Sequence, residues 1–296
     1  MQAQAELQPQ SYRWVILMAM CMIGFMLVGM RETIGNFFKT IIADMQWDRG
    51  TLSMVLAINL WLSGLLQPFT GNLMDRFGAR GLFTVSVALY GVAVVLIGFT
   101  HSVWYLVVVY GVLLGGATAG SSIGLTNTLV AQWFPQQRRA LAISINNAAA
   151  AFGRVVLVYT SLWLVKSFDW RISHMYLGVA ILVIAVPMTL LVPRRRSKIQ
   201  GRQNAARQAP AVRGPLEVEH WRESLRSAPL WQIMGGYFVC GMTVSLSIHF
   251  IPFATDRGFS QDMAAAAASL MAVAAMIGAV VSGVFSDRMG RKNILG

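Results

Sequence analysis

Long apolar stretches alternate with short polar ones along most of the chain. Eight apolar segments can be distinguished, and most exceed the roughly 20 residues that a helix needs to cross a hydrocarbon core of about 30 Å. These segments cover residues 14–37, 51–74, 82–100, 103–131, 140–165, 172–192, 229–253 and 263–285. Their length and their lack of apolar–polar alternation favour helices over barrel strands. The pattern therefore predicts an all-α membrane protein.

The composition agrees with this prediction and excludes several other classes. Apolar residues make up 56% of the 296 residues and charged residues 12%, whereas soluble domains average about 45–50% and about 25%. A soluble enzyme, a disordered chain and a nucleic-acid-binding module are therefore excluded, although the net charge is +12. The sequence has no metal-ligand spacing, nucleophile elbow or phosphate-binding loop, so we expect neither enzymatic activity nor a cofactor. The expected environment is the lipid bilayer.

Lysine and arginine are distributed unevenly between the loops. If the N-terminus is cytoplasmic, most basic loop residues fall on the cytoplasmic side, and the outer side holds only Lys39, Arg49, Lys166, Arg171 and Arg257. Because basic loops tend to stay in the cytoplasm, we expect both termini there. The short N-terminus shows no organelle-targeting signal, which favours a bacterial inner (plasma) membrane.

The segments form two groups separated by a basic stretch. We expect a cytoplasmic tail at 1–12, a six-helix bundle at 13–193, a cytoplasmic linker at 194–227 and the first two helices of a second bundle at 228–296. The linker is rich in Arg, Gln, Ala and Pro and has no apolar periodicity. We interpret it either as a solvated linker that also sets topology or as a stretch that contacts anionic lipid heads.

One motif occurs twice. The pattern G-x-x-x-D-R-x-G-x-[RK] begins at Gly71 and again at Gly283, 212 residues later. The offset implies that segments seven and eight repeat segments one and two, which is the parallel-repeat layout of transporters built from two halves. The two copies contain these candidate gating residues: Gly71, Asp75, Arg76, Gly78, Arg80, Gly283, Asp287, Arg288, Gly290 and Arg291.

The residue types of the motif suit a loop that holds two helices together in one state and releases them in another. Glycine permits close helix approach and a tight turn, and an aspartate favours the positive end of a helix. The arginines can contact the inner membrane surface or pair with acids across the two halves, which would close one side of a pathway. The alternative is a basic turn that only sets topology.

The two motif loops resemble the signature loop of the major facilitator superfamily. Residues 133–140 (WFPQQRRA) and 46–50 (QWDRG) are also similar to that superfamily, and the resemblance extends from about residue 12 to the end. It implies a twelve-helix fold with a central cavity between two six-helix bundles, working by alternating access. Because the chain stops at Gly296, just after the second loop, we expect four helices of the second bundle to be missing from it.

Arg154 is the strongest candidate for a functional residue. It lies 11 residues from the nearer end of the fifth segment, or roughly 16 Å at 1.5 Å per residue. An arginine at this depth costs about 2.5–3.5 kcal/mol, which a water-filled cavity, a carboxylate or an anionic substrate must offset. Asn147 lies seven residues earlier and shares its helix face. The alternative is a structural ion pair or a packing role.

Four further polar residues within the apolar segments complete the candidate substrate site. Arg31 and Glu32 lie toward the outer end of the first segment and point in different directions because they are adjacent. His249 on the seventh segment can bind a carboxylate or carry a proton, and Asn59 lies on a polar stripe of the second segment. The alternatives are charges that reach water, a histidine bonded to a neighbouring helix, and a packing contact.

Within the superfamily, the first segment looks most like that of monocarboxylate and oxalate–formate-type porters. Residues 32–39 carry this similarity, together with 249–252 and 256–260. The resemblance implies secondary active transport of a small organic anion, with a proton as candidate co-substrate, and we expect a monomer. The chain departs from these porters in two respects. Glu32 stands at or beside the position where they carry a lysine in the first helix, and the eighth segment has no charge between Ala264 and Ser286.

Two alternatives to anion transport therefore stay open. One is a proton-coupled exporter of drugs or lipophilic metabolites, although Gly111 stands where such exporters carry an arginine, and the fifth segment has no proline. The other is a non-transporting, truncated membrane protein, which the end of the chain at Gly296 would suit.

Overall fold

The computed structural model describes residues 10–135, 138–192 and 228–289, and its regular structure in these ranges is helical. Helical structure occupies each predicted segment: α1 (Gln10–Met45), α2 (Arg49–Phe77), α3 (Ala79–Ile97), α4 (Val103–Trp133), α5 (Arg139–Ser167), α6 (Trp170–Leu190), α7 (Ala228–Asp256) and α8 (Gln261–Met289). The α4 segment is interrupted by the non-helical residues Ser121 and Ser122. Within the described part of the chain, seven helices, all of these except α7, are long and apolar enough to cross a membrane. The predicted all-α membrane fold is confirmed.

The helix α1 extends beyond the apolar segment that predicts it. The helix begins at Gln10, within the predicted tail, and ends at Met45, well beyond the predicted boundary at 37. Lys39 therefore lies on the helix itself, where the sequence analysis had placed it in a loop. Residues 1–9 of the predicted tail and the predicted linker at 194–227 lie outside the described residues.

Aspartates begin two of the helices. Asp48 precedes α2, and its carboxylate accepts a hydrogen bond from the backbone N–H of Gly50 at 2.7 Å. Asp169 precedes α6 and accepts one from the N–H of Trp170 at 2.8 Å. Aspartate is favoured at this position because its oxygens satisfy a backbone donor that has no partner inside the helix.

Two helices contain π-helical turns. In α4 they span Val107–Leu114, and in α6 they span Ile181–Ala185. Such turns disturb the regular hydrogen-bonding ladder, and they frequently occur at functional sites. In α4 the carbonyl oxygen of Tyr110 accepts a hydrogen bond from Asn59 Nδ2 at 2.8 Å, so the π-helical stretch is tied to α2.

The helices pack in pairs over apolar surfaces. α1 packs along α5, α3 along α6 and α2 along α4, and α8 also packs along α5. Phe37, Phe83 and Ile97 are almost completely buried between the helices. Large apolar side chains such as Trp61 and Trp104 are exposed, as expected for surfaces that face lipid.

Two helix crossings depend on glycine. A Cβ on Gly29 of α1 would lie 2.5 Å from the carbonyl oxygen of Gly153 of α5, and a Cβ on Gly178 of α6 would lie 2.9 Å from that of Gly91 of α3. Real Cβ atoms essentially never approach other atoms closer than 3.0 Å. The helices therefore meet backbone to backbone, which small residues permit in membrane bundles.

The described residues divide into two compact units. One lies within Met1–Arg194 and Ile251–Gly296, and the other lies within Arg195–Phe250. The second unit therefore contains most of α7, and the first contains the other helices together with the end of α7.

The structure shows the repeat in the starts of α2 and α8. The two helices begin at Arg49 and Gln261, which lie 212 residues apart, the spacing of the sequence motif. Arg49 contacts Asp256, just before α8, so the two helices begin on the same side, which we call the far side. Their other ends, where the motif lies, define the motif side.

Candidate substrate site and gate

The crossing of α1 and α5 sets the register of the two helices. Gly29 faces Gly153 at the crossing. Two turns later, Asn36 Nδ2 donates hydrogen bonds to the carbonyl oxygen of Val158 at 2.9 Å and to Ser161 Oγ at 2.8 Å. Because residue numbers increase together along both helices from one contact to the next, α1 and α5 run parallel and in register.

This register brings Glu32 and Arg154 to nearly the same depth. Glu32 follows the crossing glycine of α1 by three residues and Arg154 follows that of α5 by one, so they differ by about two residues, or ~3 Å along the axes. The positive charges of Arg154 and Arg31 both act on the Glu32 carboxylate. All three side chains are partly buried.

With Glu32 ionised, the three formal charges sum to plus one. Among the described residues no carboxylate, that of Glu32 included, lies within 4.0 Å of Arg31 or Arg154. Arg154 Nε is buried and has no hydrogen-bond partner in this part of the chain. Because a guanidinium binds carboxylates through several fixed donors, Arg154 is suited to hold an anionic group.

Arg31 and Asn59 share a small cavity inside the first unit. Its lining also includes Tyr90, Tyr110 and His174. The cavity volume is about 20 Å³, which is room for about one water molecule. The two predicted residues are therefore brought together, but this cavity is too small for an organic anion in the present conformation. Asn59 already donates to the backbone of α4, so a packing role is satisfied.

His174 is a polar residue of this cavity that the sequence analysis missed. It is 1% exposed, its Nδ1 lies 2.9 Å from the carbonyl oxygen of Trp170, and its ring centroid lies 4.1 Å from that of Phe37. A histidine within the apolar stretch 172–192 was a signal that could have identified it.

Asn147 belongs to an amide cluster between α4 and α5. Its Oδ1 accepts a hydrogen bond from Asn127 Nδ2 at 3.0 Å. Asn146 Nδ2 donates to Asn127 Oδ1 at 2.8 Å and to Thr126 Oγ1 at 3.0 Å. Asn146 is fully buried and was not predicted. The cluster lies two turns from Arg154, about 10 Å along α5, and connects the helices rather than joining the charged group.

His249 lies on α7 within the second compact unit, and its side chain is exposed. Its membership of the substrate site stays a prediction.

The first copy of the motif forms the turn between α2 and α3. Gly78 has φ +78°, a left-handed conformation that glycine adopts without strain, and its N–H donates to the carbonyl oxygen of Met74 at 2.9 Å. At Gly71, by contrast, no described atom lies within 4 Å of where a Cβ would be. The close helix approach expected at Gly71 is therefore absent among the described residues, because this face of α2 is exposed.

The remaining motif residues are described only in part. Arg76 is exposed and Arg80 is partly buried. The side chains of Asp75, Gly283, Asp287 and Arg288 lie outside what the structure describes, although all four residues are helical. Gly290 and Arg291 lie outside the described residues entirely. The gating role of the motif stays a prediction.

The sequence is similar to those of curated transporters. A protein described as "Probable sulfoacetate transporter SauU", from Cupriavidus necator, is 26% identical over 95% of this chain and 66% of its own length. A "Probable galactarate/D-glucarate transporter GudP" from Bacillus subtilis is 23% identical over 95% of this chain and 66% of its own. The chain thus spans about two thirds of the length of these relatives.

Two solved structures support the fold. The proton:xylose symporter XylE matches 96% of this chain and 71% of its own with a TM-score of 0.66 and 16% identity. A bacterial homologue of the human lysosomal transporter Spinster, inward-facing and unoccupied, matches 96% and 64% with a TM-score of 0.67 and 19% identity. The family model described as "Major Facilitator Superfamily" matches residues 20–296. The chain therefore belongs to the major facilitator superfamily of membrane transporters.

Proposed function

We propose that the full-length protein is a secondary active transporter of a small organic anion that works by alternating access. The carrying observation is the excess positive charge of Arg31, Arg154 and Glu32 in the apolar interior. An uncompensated arginine at this depth is costly, and a carboxylate substrate supplies the missing negative charge. A neutral or cationic lipophile would leave the excess in place, so this observation disfavours the exporter alternative.

The relatives support the anionic class. The names of two of them refer to sulfoacetate and to galactarate or D-glucarate, all of which are acids. Within the described ranges, the other acidic residues lie at or near helix ends, which leaves Glu32 as the internal counter-charge of the cluster in this part of the chain. We place the substrate carboxylate on Arg154, where its negative charge, together with that of Glu32, offsets the positive charges of the cluster.

The charge of the cluster also predicts how a proton enters the cycle. A singly charged anion beside Arg154 brings the summed charge of substrate, Arg31, Arg154 and Glu32 to zero. A doubly charged anion takes that sum to minus one, and protonation of Glu32 restores zero. Because an uncompensated charge in a low-dielectric interior is costly, we expect proton coupling for dianions.

We also propose a location and an orientation for the protein. It lies in the inner (plasma) membrane as a monomer with both termini cytoplasmic, so that the motif side faces the cytoplasm. The uneven distribution of Lys and Arg between the loops supports this orientation.

The test is uptake by proteoliposomes containing the full-length protein. A panel of mono- and dicarboxylic acids is offered with and without a proton gradient, alongside a lipophilic cation. We expect Arg154→Ala to abolish acid uptake and Arg154→Lys to weaken it, because lysine keeps the charge but loses the planar donor set. The matched control is Arg13→Gln, which removes an exposed arginine from the start of α1. Wild-type acid uptake by Arg154→Ala would overturn the proposal, and transport of the cation alone would favour an exporter.

A further inference from the structure

The helix α4 is broken inside its membrane span. A second helical part, Ile123–Trp133, begins after the non-helical Ser121 and Ser122 and is 11 residues long, so the break lies about 17 Å from the end of α4. Ser122 stands at the capping position, but its side chain makes no capping hydrogen bond. The N–H groups of Ile123 and Gly124 donate to no atom of the described residues. They therefore remain free at the positive end of a helix dipole.

The break lies about one helical turn from Arg154. A Cβ on Gly24 of α1 would lie 3.5 Å from Ile123 Cδ1 and 3.6 Å from Ala150 Cβ of α5, so Ile123 and Ala150 are at the same level. Arg154 follows Ala150 by four residues, which is about 6 Å along α5, on the same helix face.

The second part of α4 begins on the side of Arg154 and ends on the motif side. Thr126 accepts a hydrogen bond from Asn146 at one level, and Ile123 lies beside Ala150 at the next. Residue numbers therefore increase in opposite directions along α4 and α5. Two groups that favour negative charge, a guanidinium and a helix N-terminus, thus lie about one turn apart.

A buried amide oxygen without a partner lies against the first turn of this helical part. Asn146 is fully buried, and its Nδ2 donates to Thr126 Oγ1 at 3.0 Å. Its Oδ1 has no hydrogen-bond partner among the described residues, and it lies 3.7 Å from the same Cβ position at Gly24 that Ile123 approaches. A buried acceptor without a donor costs free energy, so a ligand hydroxyl that reaches this oxygen is stabilising.

The exposed face of the same helical part is polar. Gly124, Thr128 and Gln132 follow one another at one-turn spacing, and all three are exposed. The exposed positions that suit lipid instead carry large apolar side chains such as Trp61 and Trp104. Non-helical backbone at membrane depth occurs where it is buried in protein or lines a water-filled space. The polar face therefore suits a pathway from which a solute reaches the break.

We propose that the break in α4 binds the second carboxylate of a short, hydroxylated dicarboxylate whose first carboxylate lies on Arg154. The backbone N–H groups of Ile123 and Gly124 donate to the second carboxylate, as helix N-termini do to anions. A hydroxyl between the two carboxylates donates to Asn146 Oδ1 when α1 moves away from this oxygen during the transport cycle. The subsite rests on the proposed function, since Arg154 is the first anchor of the same substrate.

The experiment compares the uptake of mono- and dicarboxylates by proteoliposomes that contain the full-length protein. The probes are lactate, succinate and malate, of which malate is the hydroxylated dicarboxylate. Ser122→Asp supplies a carboxylate at the capping position, where it competes for the same N–H groups. We expect the KM of succinate and malate to rise about tenfold and that of lactate to change by less than about twofold. Ser122→Asn, which caps the helix without a charge, is the matched control and should have a smaller effect.

A second variant removes one donor without adding a charge. Ile123→Pro deletes the first N–H of the helical part, a position at which proline is favoured. Ser122 has ψ 152°, which is the conformation that a residue before proline prefers, so the variant should fold. We expect the KM to rise for the two dicarboxylates and not for lactate. Ile123→Ala keeps the N–H and controls for the lost side chain.

Asn146 is tested by the preference for malate over succinate. We expect Asn146→Ala to reduce this preference and Thr126→Val, which removes only the acceptor of Asn146 Nδ2, to retain it; an equal reduction in both would overturn the hydroxyl contact. Equal changes for lactate and the dicarboxylates in Ser122→Asp and Ile123→Pro would overturn the subsite, as would unchanged kinetics in both folded variants. If Arg154→Ala still abolished acid uptake, the proposed function would stand without the subsite, whereas no acid uptake by the unsubstituted protein would overturn both.

Discussion

Substitution of Gly153 by alanine measures how much the close α1–α5 crossing contributes to the free energy of unfolding. The added Cβ would overlap the carbonyl oxygen of Phe25 and lie 2.7 Å from its Cα. These are backbone atoms, so no side-chain rotation relieves the contact and the helices must separate. Overpacking of this kind costs about 1–3 kcal/mol, whereas alanine in place of glycine inside a helix gains about 1 kcal/mol.

Gly64 of α2 provides the matched control. No described atom lies within 4 Å of where its Cβ would be, so Gly64→Ala gains helix propensity without a clash against any described residue. The difference in unfolding free energy between Gly64→Ala and Gly153→Ala should therefore be about 1–3 kcal/mol. Reversible unfolding in mixed detergent micelles measures this difference. Since Arg154 adjoins the crossing, acid uptake should also fall in Gly153→Ala and persist in Gly64→Ala. Equal stability of the two variants would refute the backbone-to-backbone crossing.

Three further predictions concern charge and backbone conformation. Glu32→Gln mimics the protonated carboxyl, so dianion uptake by proteoliposomes should persist but no longer respond to a proton gradient; an unchanged response would contradict the charge arithmetic. Gly78→Ala should lose about 1–3 kcal/mol of stability because φ +78° with ψ 153° is a backbone region that is essentially restricted to glycine, whereas Gly71→Ala should not, and thermal unfolding compares the two. Hydrogen bonds from Arg49 and Lys39 lower the pKa of Asp256 from 3.8 to about 2. Because this pKa is lowered, the ionised carboxylate stabilises the folded state fully above pH 3.8, and this stabilisation is lost as the pH falls toward 2. The stability that Asp256→Asn removes in unfolding measurements should therefore stay constant between pH 5 and pH 8, and a change in that range would show that another group titrates with this carboxylate.

The far-side ion pairs show why contacts between helices were not predicted. The distribution of loop charges predicted Lys39, Arg49 and Lys166 on one side of the membrane, and the structure brings them to a common region. Their partners Asp256 and Asp262 come from the other copy of the repeat, 207 residues from Arg49 and 96 from Lys166. Loop charge specifies a side of the membrane but not a neighbour on that side.

In the candidate site, too, the sequence predicts the position of a residue along its helix but not the residues that it contacts. The depth of Arg154 was readable from its distance to the ends of one segment, but its proximity to Glu32 depends on the facing of Gly29 and Gly153. His174 was missed because it becomes part of a cavity only when α6 packs beside α1. At Gly71 a close contact was expected from residue type, and the exposed face of α2 provides none among the described atoms.

The chain's own order of residues determined the helices, their membrane character and the 212-residue repeat. The physical reason is that the length of an apolar run and the spacing of a motif are properties of one stretch of chain. Tertiary structure alone decided which polar groups meet. Those meetings depend on the rotation and register of helix pairs, and for the α1–α5 and α3–α6 pairs close backbone contacts between glycines constrain both.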